Sequence, residues 1–536
     1  MFNMHSRFRP LSLQIHRFSR FQSSVGNTSD QFISPKNPLI SVPIHRNLHY
    51  HHQISRGIFA NNENPSNSPL QNPPTNPSDD HQALKIQTLL KTHSGEPTEE
   101  IERRLDECNL SLSDDSILNM LERHRSDWKP SYAFFSWVRR TKNSTGFAPN
   151  TPIYNKILDT LGRMKRFQEL HQVLVEMSSR KNLIDERTYG VVLNRFSAAH
   201  KVDESIELFN NIQSLGLERN LVAFQTLLLS LCRYKHVEAA EKLFRNTKSE
   251  FEEDIKTWNI ILNGWCVLRS LPDAKRFWMD ILKSDCKPDK FTYGIFINAL
   301  SKSGKISTAS KVLRKMWEKD CTPDAPICNT VIEGLCYKKQ IPEALKIFSE
   351  MNQKGCPPNA ATYNSLIKHL CKIQRMEKVY ELLNSMDEKG ETCSPNAVTY
   401  GYLLKAAKNP KEVDTILERM KKKGCKLEAD TYNLALRLFT EWGDEERVKY
   451  FWDEMERNGL GPDRRSYTII VHGLYDKGKI ANALQYFAEM TEKGMEPESR
   501  TKILVDDMNF KLNEAERARE TLLIKNKRSV NMSNSS

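Results

Sequence analysis

A chain of 536 residues exceeds what one ordinary core supports, so it is either several domains or an array whose units pack only on their neighbours. Mean hydropathy is −0.59 and no run of about 18 apolar residues occurs, which excludes a helical membrane span. The net charge of +12 is unevenly spread: residues 1 to 60 carry seven cationic side chains (Arg7, Arg9, Arg17, Arg20, Lys36, Arg46, Arg56) against Asp30 alone, seven minus one, or +6.

In chain order, residues 1 to 60 lack any acid before Asp30 and interleave Phe2, Phe8, Leu11, Leu13, Ile15, Phe18 and Phe21 with arginine, serine and histidine. That is the composition of an organellar transit peptide with a flexible N-terminus. Arginine outweighs hydroxyl residues in its first twenty positions, which favours the mitochondrion over the chloroplast. Residues 61 to 80, "NNENPSNSPLQNPPTNPSDD", are rich in Asn, Pro and Ser and read as a disordered linker. Residues 81 to 150 hold four short amphipathic stretches, "ALKIQTLL", "EEIERRLDEC", "DDSILNMLERH" and "PSYAFFSWVRR", read as a helical cap with a degenerate repeat.

A phrase then recurs about every thirty-five residues, as in "CKPDKFTYGIFINALSK", "CTPDAPICNTVIEGLCY", "GCPPNAATYNSLIKHLCK" and "LGPDRRSYTIIVHGLYD". Anchored on the aromatic residue, or on Cys328, ten repeats span 151–185, 186–220, 221–254, 255–289, 290–324, 325–359, 360–396, 397–428, 429–463 and 464–498. Each carries two helical stripes. Tyr363, Leu366, Ile367 and Leu370 follow i, i+3, i+4, i+7 in a first helix, and Ile341, Ala344, Leu345, Phe348 and Met351 mark a second. Two helices of about twelve residues cannot bury both stripes alone, so neighbouring pairs must stack into an α-solenoid. Gly304 and Gly478 suit a left-handed C-cap between the helices, Pro ends the second helix, and both the Asp or Asn after that Pro and the Thr before the Tyr can cap the next one. Residues 499 to 536 read as a partial helical cap and a disordered basic tail.

The eleven cysteines include no Cys-x-x-Cys pair, and Cys232, Cys266, Cys336 and Cys371 fall at equivalent repeat positions. They read as small core residues in a reducing compartment rather than as zinc ligands or disulfides, and no metal or cofactor is expected.

"AATYNSLIKHLCKIQRMEKVYELLNSM" and its siblings resemble the pentatricopeptide repeat family, in the plain thirty-five-residue type of plant organelles, over roughly residues 125 to 510. Tetratricopeptide repeats share the hairpin but lack the Tyr-Asn start and Pro-Asp end. The resemblance implies an all-α, right-handed α-solenoid superhelix of stacked helix-turn-helix repeats. It also implies sequence-specific binding of single-stranded organellar RNA, one base per repeat, in transcript processing, stabilisation, splicing or translation. In that family a base is read by the residue after the aromatic together with the last residue of the same repeat; Asn offers a donor and an acceptor to a pyrimidine, and Asp can hold the amide in one orientation.

Carried over, Asn155 with Asp185, Asn259 with Asp289 and Asn433 with Asp463 resemble uracil readers. Asn329 with Asn359 and Asn364 with Asn396 resemble pyrimidine readers. Gly190 with Asn220 and Gly294 with Asp324 lack the hydroxyl of family purine readers, and point weakly to adenine and guanine. Gln225 with Asp254, Gly401 with Glu428 and Thr468 with Glu498 match no reading pair. Taken alone, each Asp or Asn reads better as a helix cap than as a base contact; recurrence beside a matched Asn moves the balance toward RNA. Two residues before the aromatic, family members sandwich bases between apolar groups, as at Val222, Phe291 and Val398, whereas Arg187, Lys256, Asp430 and Arg465 depart from that preference. Arg163, Arg233, Lys302 and Lys372 end first helices where the family faces phosphate, and equally suit solvated cations complementing the helix dipole; Glu441 and Asp476 do not fit the phosphate role.

The zinc deaminase signature of editing relatives is not found, and "SGKIS" at 303 lacks the earlier glycine of a P-loop, so no catalysis is expected. The rival expectation is a protein-interaction solenoid, or a recruiter of RNA-processing, splicing or ribosomal proteins, suggested by Glu428, Glu441 and Asp476.

Overall fold

The computed structural model describes residues 77–533 apart from 109–112, 145–148, 181, 248–249 and 391–392, all within one compact unit. The transit-peptide reading of residues 1 to 60 and the linker reading of 61–76 lie outside the described residues. Every described element is helical, so the expected all-α solenoid stands.

Each first helix begins where the repeat phrase places it, at Thr151, Glu186, Leu221, Ile255, Lys290, Ala325, Ala360, Ala397, Ala429 and Arg464. The cause is local. Except at Asp254 and Glu428, the Asp or Asn before it sits in extended backbone and accepts from the N–H three residues on, as Asp289 does from Thr292 at 2.7 Å and Asn359 from Thr362 at 3.0 Å. The threonine before the tyrosine is not itself the cap: Thr292, Thr362 and Thr399 sit at the third helical position and accept from the cap's own N–H, completing capping boxes.

First helices end at a residue with positive φ. Gly304 and Gly478 take this role at 71° and 73°, and Lys235, Lys339 and Gln374 do so at equivalent places despite their side chains. Second helices then start mostly without a side-chain cap, as after Lys305 and Gln340. The irregular eighth repeat loses its residues at this turn: its first helix is cut to Ala397–Ala406 and Asn409 caps Pro410–Lys422 directly.

Packing follows the two stripes. Successive first helices lie against one another, and each second helix packs on its own first helix. The repeated aromatic is the central core residue: Tyr154, Tyr363, Tyr400, Tyr432 and Tyr467 are all essentially inaccessible. Cys328 replaces it in the sixth repeat and is equally buried. Cys232, Cys336 and Cys371 are buried as expected, and burial pushes each thiol up to about 12; Cys266 is half-buried.

Helix Asp114–Arg123 packs on the first helix of repeat one, with Trp128–Ser144 beside it, so together they fill the place of a preceding repeat. Two ends differ from expectation. Helix Pro77–Thr92 starts inside the stretch read as linker, with Pro at the first position, where its fixed φ suits a helix and its missing N–H costs nothing. A single helix, Ser499–Ser533, occupies the stretch read as partial cap and tail; it contains neither Gly nor Pro, and Thr501, Val505 and Met508 bury against the last repeat.

Candidate nucleic-acid interface

Stacking brings the residue after each aromatic to one face of the first-helix row, beside the cap of the following helix. Asn259 Nδ2 donates to Asp289 Oδ1 at 3.1 Å, Asn364 Nδ2 to Asn396 Oδ1 at 3.3 Å, and Asn433 Nδ2 to Asp463 Oδ1 at 3.3 Å. Gln225, unassigned from sequence, joins its partner in the same way, Nε2 donating to Asp254 Oδ2 at 2.8 Å. Capping and amide contact are therefore not alternatives. Asp289, Asn396 and Asp463 each do both, one oxygen receiving the N–H of the helix that follows and the amide of its own repeat. Burial raises the Asp463 carboxyl, but hydrogen bonds from Ser466 and Asn433 outweigh it and hold the group below the usual carboxylate range.

These amides are deep in the face. Asn155, Gln225, Asn259, Asn364 and Asn433 are only 7, 4, 3, 8 and 2 % exposed. Several of their polar atoms have no protein partner: both amide atoms of Asn155, and Oδ1 of Asn259 and of Asn329. A buried polar atom left unmatched costs about 1–3 kcal/mol, and three of these amides carry one at the same repeat position.

Other sequence pairs are not joined by a hydrogen bond. Asp185, Asn359, Asn220 and Asp324 all cap their helices, but the first two make no bond to Asn155 or Asn329. Gly190, Gly294 and Gly401 contribute no side chain; a Cβ at Gly401 would meet nothing within 4 Å, and one at Gly190 only Thr226 at 3.9 Å. Thr468 bonds back to the Arg464 carbonyl at 2.8 Å, Glu498 pairs with Arg464 at 3.4 Å, and Glu428 is exposed without a capping bond.

Two positions before the aromatic, Val222, Phe291 and Val398 stand 49, 41 and 40 % exposed, large apolar groups held out of the core along the same face. In repeats nine and ten that place is taken by Asp430 and Arg465, whose side chains pair with each other at 2.5 Å. Among the cations expected to face phosphate, Arg163 is already paired with Asp159 at 2.7 Å, and Arg233 and Lys372 are exposed. Lys302 is exposed too, yet desolvation of its ammonium group and the nearby Arg269 hold it below the usual lysine range. Glu441 lies 3.6 Å from Arg437, and Asp476 is exposed.

Family models for the PPR repeat family match residues 253–302, 323–372 and 360–409, those for the PPR repeat match 187–217, 291–321 and 430–460, and one for the pentatricopeptide repeat domain matches 451–501. A pentatricopeptide repeat-containing protein of Arabidopsis thaliana is 56 % identical over 433 residues, covering 81 % of this chain and 82 % of its own. This chain belongs to the pentatricopeptide repeat family. A second Arabidopsis pentatricopeptide repeat protein, whose name carries the word mitochondrial, is 32 % identical over 426 residues, 79 % of this chain and 73 % of that one. The crystal structure of the pentatricopeptide repeat protein PPR10 from maize aligns at 22 % identity with a TM-score of 0.47, covering 80 % of this chain and 66 % of that one.

Within the pentatricopeptide array, sequence reasoning missed a set of hydroxyls. Thr399 Oγ1 donates to Asn364 Oδ1 at 2.7 Å, Ser466 Oγ to Asn433 Oδ1 at 2.6 Å, and Thr257 Oγ1 receives Gln225 Nε2 at 3.0 Å. The signal was the hydroxyl before each aromatic, visible in "VTY", "RSY" and "KTW" but absorbed into the capping argument.

Proposed function

We propose that this pentatricopeptide repeat chain binds single-stranded RNA in a sequence-specific way, one base per repeat, in organellar transcript processing, stabilisation, splicing or translation. The observation that carries the reading is the row of buried amides, each beside a carboxylate or amide cap, with polar atoms unmatched by protein at Asn155, Asn259 and Asn329. Asn259 has a second N–H and a buried carbonyl without a protein partner, the donor and acceptor that the edge of a pyrimidine calls for once the side chain turns outward. The exposed Val222, Phe291 and Val398 supply apolar faces on which bases stack. The word mitochondrial in the name of a relative, and the arginine-rich first twenty residues, support action in the mitochondrion. The role is binding, without a chemical step.

Selection of the full-length chain against a random single-stranded RNA pool at about 0.15 M salt tests it. The expected motif has U at the first, fourth and ninth positions and pyrimidines at the sixth and seventh. Asn259→Ser, beside Asp289, should then move the fourth base from U toward G by about 1–3 kcal/mol. A flat selection removes the RNA reading and leaves a protein partner for this face.

A further inference from the structure

The two-residue pairing does not account for how the reading amides are held. In repeats seven and nine the amide-to-cap contact is long, 3.3 Å in both, and would by itself orient the side chain weakly. Each of these amides has a second, much shorter contact, from the hydroxyl at the third position of the next repeat's first helix: Thr399 to Asn364 at 2.7 Å and Ser466 to Asn433 at 2.6 Å. Both hydroxyls are fully buried and also accept their cap's backbone N–H at 3.1 Å, so they are fixed in place. Turning the Asn364 amide over would set its oxygen against Asn396 Oδ1, which already serves as the acceptor of the helix cap. Gln225 is held by residues at the same three positions with the hydroxyl's role reversed, its Nε2 donating to both Asp254 and Thr257.

Thr399 and Ser466 also lie 3.1 and 2.9 Å from their own caps, Asn396 and Asp463, longer than their contacts to the amides; elsewhere the equivalent hydroxyl goes to the cap alone. Thr188 and Thr292 give theirs to Asp185 and Asp289 at 2.7 Å, and Thr362 to Asn359 at 3.1 Å. In those repeats the carbonyl oxygens of Asn155, Asn259 and Asn329 have no protein partner. One hydroxyl thus decides whether the amide before it is locked, with its carbonyl half-used, or left with a buried carbonyl that no protein group meets.

We propose that the hydroxyl at the third position of a first helix is a specificity-determining positioning residue for the repeat before it, with Thr399 acting on Asn364, Ser466 on Asn433 and Thr257 on Gln225. This rests on the RNA reading above and deepens it, making the reader three residues drawn from two repeats.

The test uses the full-length protein and short single-stranded RNAs carrying the selected motif with the seventh base varied. Wild type should prefer a pyrimidine there. Thr399→Val should reduce that preference about threefold to tenfold, the worth of one hydrogen bond, with the salt dependence of binding unchanged. Thr399→Ser should restore it. Thr362→Val removes a capping-box hydroxyl that does not reach Asn329, and should leave the sixth-base preference intact, which separates positioning from loss of a helix cap. Should Thr399→Val fail to fold, Ser466→Ala read at the ninth base takes its place. A Thr399→Val protein that discriminates like wild type, while Asn364→Ala has lost the preference, overturns the hydroxyl's role and leaves the RNA reading standing. If Asn364→Ala also changes nothing, the base-reading pair itself is wrong and both fall.

Discussion

The first-helix row and the second-helix row hold the same repeats together with different shares of close packing and ion pairing. First helices approach closely: a Cβ on Gly162 would lie 2.5 Å from Arg195 Cβ and one on Gly473 would overlap Thr440 Cγ2, while Arg195 to Asp159 and Lys368 to Glu333 add ion pairs across this row. Second helices are tied across repeats by ion pairs, Arg139 to Glu176, Arg276 to Glu241, Arg314 to Glu343, Arg419 to Asp387 and Lys421 to Glu454. Close packing fixes spacing to tenths of an ångström, whereas exposed ion pairs tolerate changes in length. The face with the amides is therefore the rigid one.

The strongest test attacks the best tie of the second-helix row. Glu241 is buried and accepts from Arg276 at 2.7 and 2.8 Å and from Trp265 Nε1 at 2.8 Å, with Arg245 also beside it. Glu241→Ala should cost about 3 kcal/mol in denaturant unfolding, because it leaves cationic and indole groups unmatched. Burial raises this carboxyl, but its three donors bring it from 4.5 down to about 2. Its contribution is thus complete above pH 4.5 and is lost as pH falls toward about 2, which an acid titration of wild type against Glu241→Gln reads out.

Next, Gly162→Ala attacks the first-helix row. The clash is with Arg195 Cβ and Cγ, atoms tied to the backbone, so about 2 kcal/mol should be lost despite the gain in helix propensity. A neutral result would mean that the row is not close-packed at that step.

A smaller effect is expected where an ion pair intrudes into the first-helix row. Asp430→Val removes the pair with Arg465 and places an apolar group where Val398 stands in the previous repeat; RNA carrying the ninth-base U should bind about fivefold more tightly, near the low end of a stacking contact. Unchanged affinity would mean that no base reaches that step. The smallest effect belongs to an exposed tie: Arg314→Met should change stability by less than about 1 kcal/mol, and less still in high salt, measured by thermal unfolding at two ionic strengths.

The starts of the first helices were legible because the cap is a residue type: Asp289, Asn359 and Asp463 announce them in the sequence. Apart from Asn409 and Asp444, the starts of the second helices carry no such mark, since positive-φ residues as unlike as Lys235, Gln374 and Gly478 precede them. At the site, which residues share the face follows from the repeat, so Asn259 with Asp289 could be paired in advance. What was not legible depends on which of two nearby acceptors a hydroxyl chooses. Thr292 and Thr399 occupy the same position in the same phrase, yet only Thr399 turns to the preceding amide. Nor could sequence show that Arg163 is already occupied by Asp159, one helical turn back.

The residue that ends each repeat closes one sentence and opens the next. Asp289, Asn396 and Asp463 start a helix and hold the amide behind them at the same time. A lineage drifting toward a new target can therefore rewrite this position only with side chains that also begin a helix. The letters of such a code are its punctuation marks, which keeps the alphabet small and makes retargeting and folding a single problem for selection.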